Sequence, residues 1–208
     1  MTEIQNGKKI IKTPISEEDI KGLRAGEAFY LSGEMLTGRD DVHKRVVSEG
    51  EAFPAELRGK ALFHAGPIVR DAEGGGYEIV SIGPTTSMRM EGFEYDFIKK
   101  TGVPIIIGKG GMGPDTARAC REYNAIHCAA PAGCAVIGAT SVEKVSGVDW
   151  LDLGMPEAIW HLRVKDFGPL IVTIDSSGNN YFEEKKDHYR RIKEQIAPEL
   201  TDKFKTLK

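Results

Sequence analysis

The stretch GPTTSMRMEGFEYDFIKKTGVPIIIGKGGMG, residues 83–113, decides the fold class. Gly83-Pro84 is a turn pair that closes the run YEIVSIG (77–83), which reads as a strand. Phe93, Phe97 and Ile98 then recur at helical spacing. Lys99 and Lys100 fall in the last turn, where cations complement the helix dipole, and Gly102 supplies the stop. VPIIIG (103–108) is a short continuous apolar run, suited to a strand covered on both faces. Strand, helix and strand in so short a span make the unit of an α/β domain.

The same grammar extends outward. AFYLSG (28–33), ALFHAG (61–66), AIHCAA (125–130), CAVIGAT (134–140), AIWHLRV (158–164) and PLIVTID (169–175) read as further strands. Thr37 is placed to cap a helix that starts near Arg39 and turns Val42, Val46 and Val47 inward. PDTARACREY (114–123) opens on Pro114 and Asp115, a helix-start pair. SSGNN (176–180) is a turn, and the charged tail from Phe182, including 186–208, reads as surface helix. The expectation is an α/β fold with a mixed sheet.

A chain of 208 residues with 40% hydrophobic and 28% charged content can bury one sizeable core, so a single domain over 1–208 is expected. A net charge of −3 lacks the basic field of a general nucleic-acid binder. MTEIQNGKKIIKTP (1–14) has no apolar signal region, and no apolar run reaches membrane-span length. Cys120, Cys128 and Cys134 are an odd count that suits a reducing compartment, and the expected location is cytoplasmic.

Chemistry concentrates in three loops. GKGGMGPD (108–115) sets Lys109 among glycines between a strand and a helix start. It is neither a Walker A sequence nor a G-x-G-x-x-G fingerprint; what remains is backbone N–H groups and a helix N-terminus able to face an anion. GPTTSMRM (83–90) offers the hydroxyls of Thr85, Thr86 and Ser87 and the donor fork of Arg89. LTGRDD (36–41) places Arg39 at a helix start beside Asp40 and Asp41. Arg89 in a first helical turn opposes the dipole unless an anion sits close. If the loops converge, Arg39, Arg89 and Lys109 surround a small polyanion, a dicarboxylate or a phosphate. Each loop also has a plain reading as a tight turn or cap with a solvated cation. His64, at a strand end in FHAG (63–66), either touches a ligand or hydrogen-bonds in the core.

Residues 83–113 resemble the signature of the β subunit, or C-terminal domain, of the iron–sulfur hydro-lyases that include class I fumarase and L-tartrate dehydratase. SGEMLTGRDDVHKR (32–45), GKALFHAGPIV (59–69) and DLGMPEAIWHLRVKDFGPLIVTIDSSGN (152–179) stand in that family's order, and the resemblance spans roughly 10–185. It implies a swivelling β/β/α fold and the reversible addition of water to a short dicarboxylate, as in fumarate to L-malate. It implies a [4Fe-4S] cluster held by three cysteines of a partner α subunit, with no metal ligand in this chain and a shared active site in an αβ or higher assembly. By position it assigns substrate-carboxylate binding to Arg39 and Arg89, a catalytic lysine to Lys109, and proton transfer to Thr85, with Thr86 beside it on the substrate. Cys120, Cys128 and Cys134 then read as packing residues. An L-tartrate dehydratase β subunit is the close alternative. A stand-alone module for small anions or nucleotides is the alternative of another class.

Overall fold

The computed structural model describes residues 2–205. In chain order the elements are β1 (Thr2–Gln5), β2 (Lys8–Lys12), α1 (Glu17–Lys21), β3 (Ala28–Thr37), α2 (Asp40–Val47), β4 (Ala61–Phe63), β5 (Ile68–Asp71) and β6 (Tyr77–Ser81). There follow α3 (Glu91–Thr101), β7 (Ile105–Gly108), α4 (Pro114–Tyr123), β8 (Ile126–Ala129), α5 (Ala135–Thr140), β9 (Val142–Asp149), β10 (Ile159–Ile174) and α6 (Tyr181–Lys205). The fold is α/β with a mixed sheet, in the order β1-β2-β3-β4-β7-β8-β10-β9. Strands β2, β3, β4, β7 and β8 run parallel. Strand β10 is antiparallel to β8 on one side and to β3 on the other, which closes the sheet into a ring.

The period-2 alternation of strands sorts side chains into two cores. Ile105 and Ile107 of β7, Ala61 and Phe63 of β4, and Trp160, Leu162 and Val172 of β10 fill the inside of the ring. Ile106, Leu62 and Ile159 point the other way, to Val42 and Val46 of α2, Phe97 and Ile98 of α3 and Ala119 of α4. The three helices therefore cover one outer face; β3 runs directly into α2 and β7 into α4 at their carboxyl ends, while β4 leads through the β5–β6 pair to α3. That end of a parallel sheet is where open α/β proteins place their ligands.

Several sequence expectations need correction. CAVIGAT is not a strand: 135–140 form α5, because Gly138, which has no Cβ, lies against the carbonyl of Ile82 and lets a short helix pack there. The runs 158–164 and 169–175 belong to one strand, β10, interrupted by register shifts rather than a loop. Thr37 does not cap α2; its hydroxyl donates to the Ala158 carbonyl at 3.1 Å and accepts from Trp160 N–H at 2.9 Å, tying β3 to β10. Strands β1, β2, β5 and β9 carried no reading of their own. The tail is helical from Tyr181 to Lys205, and residues 206–208 lie outside the described residues. Among the described residues, no helix is long and apolar enough to cross a membrane.

His127 shows how tightly this core is wired. Thr173 Oγ1 donates to the His127 carbonyl at 3.1 Å, so the proton between Thr173 Oγ1 and His127 Nδ1 sits on the imidazole. Burial, with His64 acting in the same direction, lowers the His127 pKa from 6.5 to about 3. Its contribution to stability is complete above 6.5 and is lost progressively as pH falls toward 3. Thermal unfolding should therefore show a midpoint that drops between pH 7 and 5, by roughly 1–2 kcal/mol of stability per buried neutral histidine. His127→Gln should flatten the slope; an unchanged slope would refute the assignment.

Candidate active site

The loops at the carboxyl ends of the strands are stitched in series by backbone hydrogen bonds. Gly38 N–H donates to Phe63 O at 3.0 Å, His64 N–H to Ile107 O at 2.7 Å, and Thr85 N–H to His64 O at 2.6 Å. Lys109 N–H donates to Thr85 O at 3.0 Å, Ser87 N–H returns to Lys109 O at 3.1 Å, and Ala130 N–H reaches Gly108 O at 2.8 Å. The three cationic loops read from the sequence do converge at the backbone level, with Thr86 and Lys109 as bridge partners.

The side chains meet around Asp40. Arg89 donates from Nε to Asp40 Oδ1 at 2.9 Å and from Nη2 to Oδ2, a bidentate pair. Arg39 Nε lies 2.8 Å from Glu157 Oε1 and 3.5 Å from Asp40 Oδ2, and its guanidinium passes over Gly66, where a side chain would overlap it. The Arg89 guanidinium holds the Asp40 carboxyl below its usual range, whereas burial, with Asp41 and Asp40 nearby, pushes Glu157 up. Asp40 thus serves Arg89 first and Arg39 second. Lys109 is half-buried, and its ammonium has no side-chain partner among the described residues. Thr85 is half-buried and Thr86 exposed.

Arg89 does not sit in the first turn of α3. It lies in a 3-10 turn, Ser87–Met90, that precedes α3, and Glu91 and Glu94 take the helix start, so the dipole conflict disappears. The glycine loop also differs from expectation. Glu91 fills the N-terminus of α4: its carboxylate accepts from Gly113 N–H at 2.7 Å, Asp115 N–H at 3.0 Å and Thr116 Oγ1 at 2.6 Å. That helix end is occupied from within and is not free for a phosphate.

Two residues escaped the sequence reading. Glu94 and His43 are fully buried with His64 beneath the loops. His43 Nε2 and His64 Nε2 lie 3.4 and 3.3 Å from Glu94 Oε2, a set that could hold a metal ion. The signal was present: Glu94 precedes Phe97 and Ile98 by three and four residues and so shares their inward face. His64 takes the core role, bonded through Nδ1 to Ser87 Oγ at 3.1 Å. The cysteines do not fit an iron–sulfur cluster. Cys120 and Cys128 are fully buried with thiols pushed up by burial, and Cys134 Sγ donates to the Pro131 carbonyl instead of joining them.

Residues 2–185 match the profile of the family described as Fumarase C-terminus. The chain belongs to this family. L(+)-tartrate dehydratase subunit beta of Escherichia coli (strain K12) is 50% identical over 195 residues, covering 94% of this chain and 96% of the relative. A putative L(+)-tartrate dehydratase subunit beta of Methanocaldococcus jannaschii is 42% identical over 188 residues, covering 88% of this chain and 96% of the relative. A putative fumarate hydratase class I of Geobacillus stearothermophilus is 41% identical over 174 residues, which cover 84% of this chain but 33% of that longer protein. In this fumarase C-terminus chain a Cβ at Gly108 would overlap Ser87 Oγ. Gly108→Ala should cost about 1–3 kcal/mol by overpacking the site's floor. A thermal midpoint equal to that of the parent chain would show that the turn tolerates the methyl.

Proposed function

We propose that this chain is the β subunit of an iron–sulfur-dependent hydro-lyase that adds water to, or removes it to form, a C–C double bond of a short dicarboxylate. The observation that carries the reading is the meeting of Arg39 and Arg89 at Asp40, with Lys109 bridged through its backbone to Thr86 in the Arg89 loop, in a chain of the fumarase C-terminus family. The Arg89–Asp40 pair is close to half exposed, and such pairs contribute only about 0–1 kcal/mol. An incoming carboxylate can therefore displace Asp40 and take the bidentate fork. Arg39 and Lys109 are the partners for the second carboxylate.

Removing the proton beside a carboxylate builds negative charge on that carboxylate. Cations already aimed at it stabilise the transition state without reorganising. Thr85 is the proton-transfer group: its backbone is pinned between His64 and Lys109, and the surrounding cations favour the alkoxide that a hydroxyl base requires. Thr86 offers a second hydroxyl to the substrate. The cluster that the family implies finds no set of three cysteine ligands among the described residues, and we assign it to a partner subunit. The partner's docking face includes α5, which buries none of its side chains and leaves Val136 68% and Ile137 66% exposed beside the Gly83–Pro84 turn. The longer Geobacillus relative, of which this chain covers 33%, supports a counterpart that sits next to this domain.

Two substrates are compatible with this reading. Fumarate hydration to L-malate follows from the sequence resemblance. L-Tartrate dehydration is favoured by the names of the relatives matched over nearly their whole length. Cytoplasmic location accords with an oxygen-sensitive cofactor. The test is an anaerobic assay of the chain alone and mixed with its cluster-loaded partner, following both substrates. Activity in the mixture only is expected; a cluster-bearing complex inert to both would sink the hydro-lyase reading and leave the anion-binding module.

Arg89→Ala should abolish turnover, by on the order of a hundredfold or more, while preserving fold and complex. Normal turnover would remove Arg89 from the site. Ile137→Asp should weaken the complex at least about tenfold by burying a charge at the interface, read by titration calorimetry with the partner. Unchanged affinity would place the interface elsewhere.

A further inference from the structure

The buried trio of His43, His64 and Glu94 has no part in the proposed chemistry, yet it sits beneath the loops that carry it. All three side chains are 0% exposed. His43 Nε2, His64 Nε2 and both carboxylate oxygens of Glu94 are buried without a hydrogen-bond partner among the described residues. A carboxylate with neither oxygen paired is among the costliest groups a dry interior can carry, so a cation is needed to meet it.

The spacing of these atoms distinguishes a metal ion from a bridging water. Glu94 Oε2 lies 3.4 Å from His43 Nε2 and 3.3 Å from His64 Nε2, and one donor atom from each residue falls within 4.8 Å of the others. A tetrahedral shell with bonds of about 2.0–2.1 Å sets neighbouring donors about 3.3–3.4 Å apart, the separation found here. An octahedral shell of the same bond length would draw them to about 2.9 Å. A water bonded to each at about 2.8 Å would hold them about 4.6 Å apart.

The imidazoles are also turned for ligation. His43 Nδ1 lies 2.8 Å from the Arg39 carbonyl, an acceptor only, so the N–H points there and Nε2 is left towards Glu94. His64 Nδ1 lies 3.1 Å from Ser87 Oγ, which can accept in the same way. Metal-bound histidines donate their other ring N–H to such acceptors, which fixes the ring. Packing holds the rings as well: His43 stacks on Phe97 with centroids 4.2 Å apart and meets His64 edge-on at 5.0 Å.

We propose that His43 Nε2, His64 Nε2 and the Glu94 carboxylate bind a zinc ion, with the unpaired Glu94 Oε1 available for the fourth position. Two imidazoles and one carboxylate suit zinc, whereas calcium and magnesium require shells of oxygen. The site is closed to solvent, so the ion is structural: it ties α2, the end of β4 and α3 together at one point. Asp40 and Glu157 already pair Arg89 and Arg39, which compensates positive charge at the mouth above it. The family resemblance implied no metal ligand in this chain, and zinc here is independent of the reaction assigned to the loops.

The test uses the full chain, expressed without a polyhistidine tag in zinc-supplemented medium and purified natively. Elemental analysis should find about one zinc per chain. Zinc-edge X-ray absorption should show two imidazoles, oxygen for the remainder and no sulfur. Glu94→Gln should weaken retention against a competing chelator at least about tenfold. The double variant His161→Gln/His188→Gln, which removes the two histidines that reach the surface, should retain the metal fully. A wild-type chain without zinc, sulfur in the shell, loss of metal in the double variant, or unchanged retention in a folded Glu94→Gln chain overturns the site. Should Glu94→Gln not fold, the wild-type absorption spectrum and the double variant decide the matter.

Discussion

The double pairing of β10 is the constraint on which the site depends. A sheet whose central strands run parallel needs something to bring its two sides together, and β10 does so by bonding to β3 and β8 at once. Thr37 reinforces the closure from the last residue of β3, exchanging hydrogen bonds with Ala158 and Trp160. Once the ring is closed, the carboxyl ends of β3, β4, β7 and β8 have one common mouth. Every backbone hydrogen bond between the functional loops is a consequence of that geometry.

At the mouth, like charges are kept together by compensating carboxylates rather than by distance. Asp40 and Glu157 hold the two arginines in place, and Glu94 supplies a negative charge from below. The Arg89–Asp40 pair, close to half exposed, contributes little to stability. The buried one is different: Glu94 lies 3.4 Å from His43 Nε2 and 3.3 Å from His64 Nε2 with no access to water, so disturbing it carries a far larger cost. The surface contact is readily exchanged, and the interior contact lies on the packed side of the loops.

Much of this was legible in the sequence, and the exceptions have physical causes. The helix over 91–101 and the strand over 105–108 were readable because period, cap and stop signals agree. The mixed sheet followed from them. Residues 135–140 misled because AVIGAT is apolar and β-branched; only the approach of Gly138 to the Ile82 backbone makes a helix there. Strands β1 and β2 are charged and hairpin-like, so they lack the apolar run that marks a strand. Arg39, Thr85, Arg89 and Lys109 stood out because loops rich in glycine expose chemistry. His43 and Glu94 did not, since a polar residue on an apolar helix face is masked by its neighbours, and its partners lie on other elements.

The carboxylate of Glu91 has a mechanical consequence. Glu91 follows Arg89 by two residues, and the backbone N–H groups it grips follow Lys109 by four and six. The start of α3 and the start of α4 are therefore clamped to each other through one side chain. When a partner docks or a substrate enters, the two helices must shift as a single stiff bracket. The spacing between the guanidinium-bearing turn and the ammonium-bearing loop is then a built-in gauge, set before any ligand arrives.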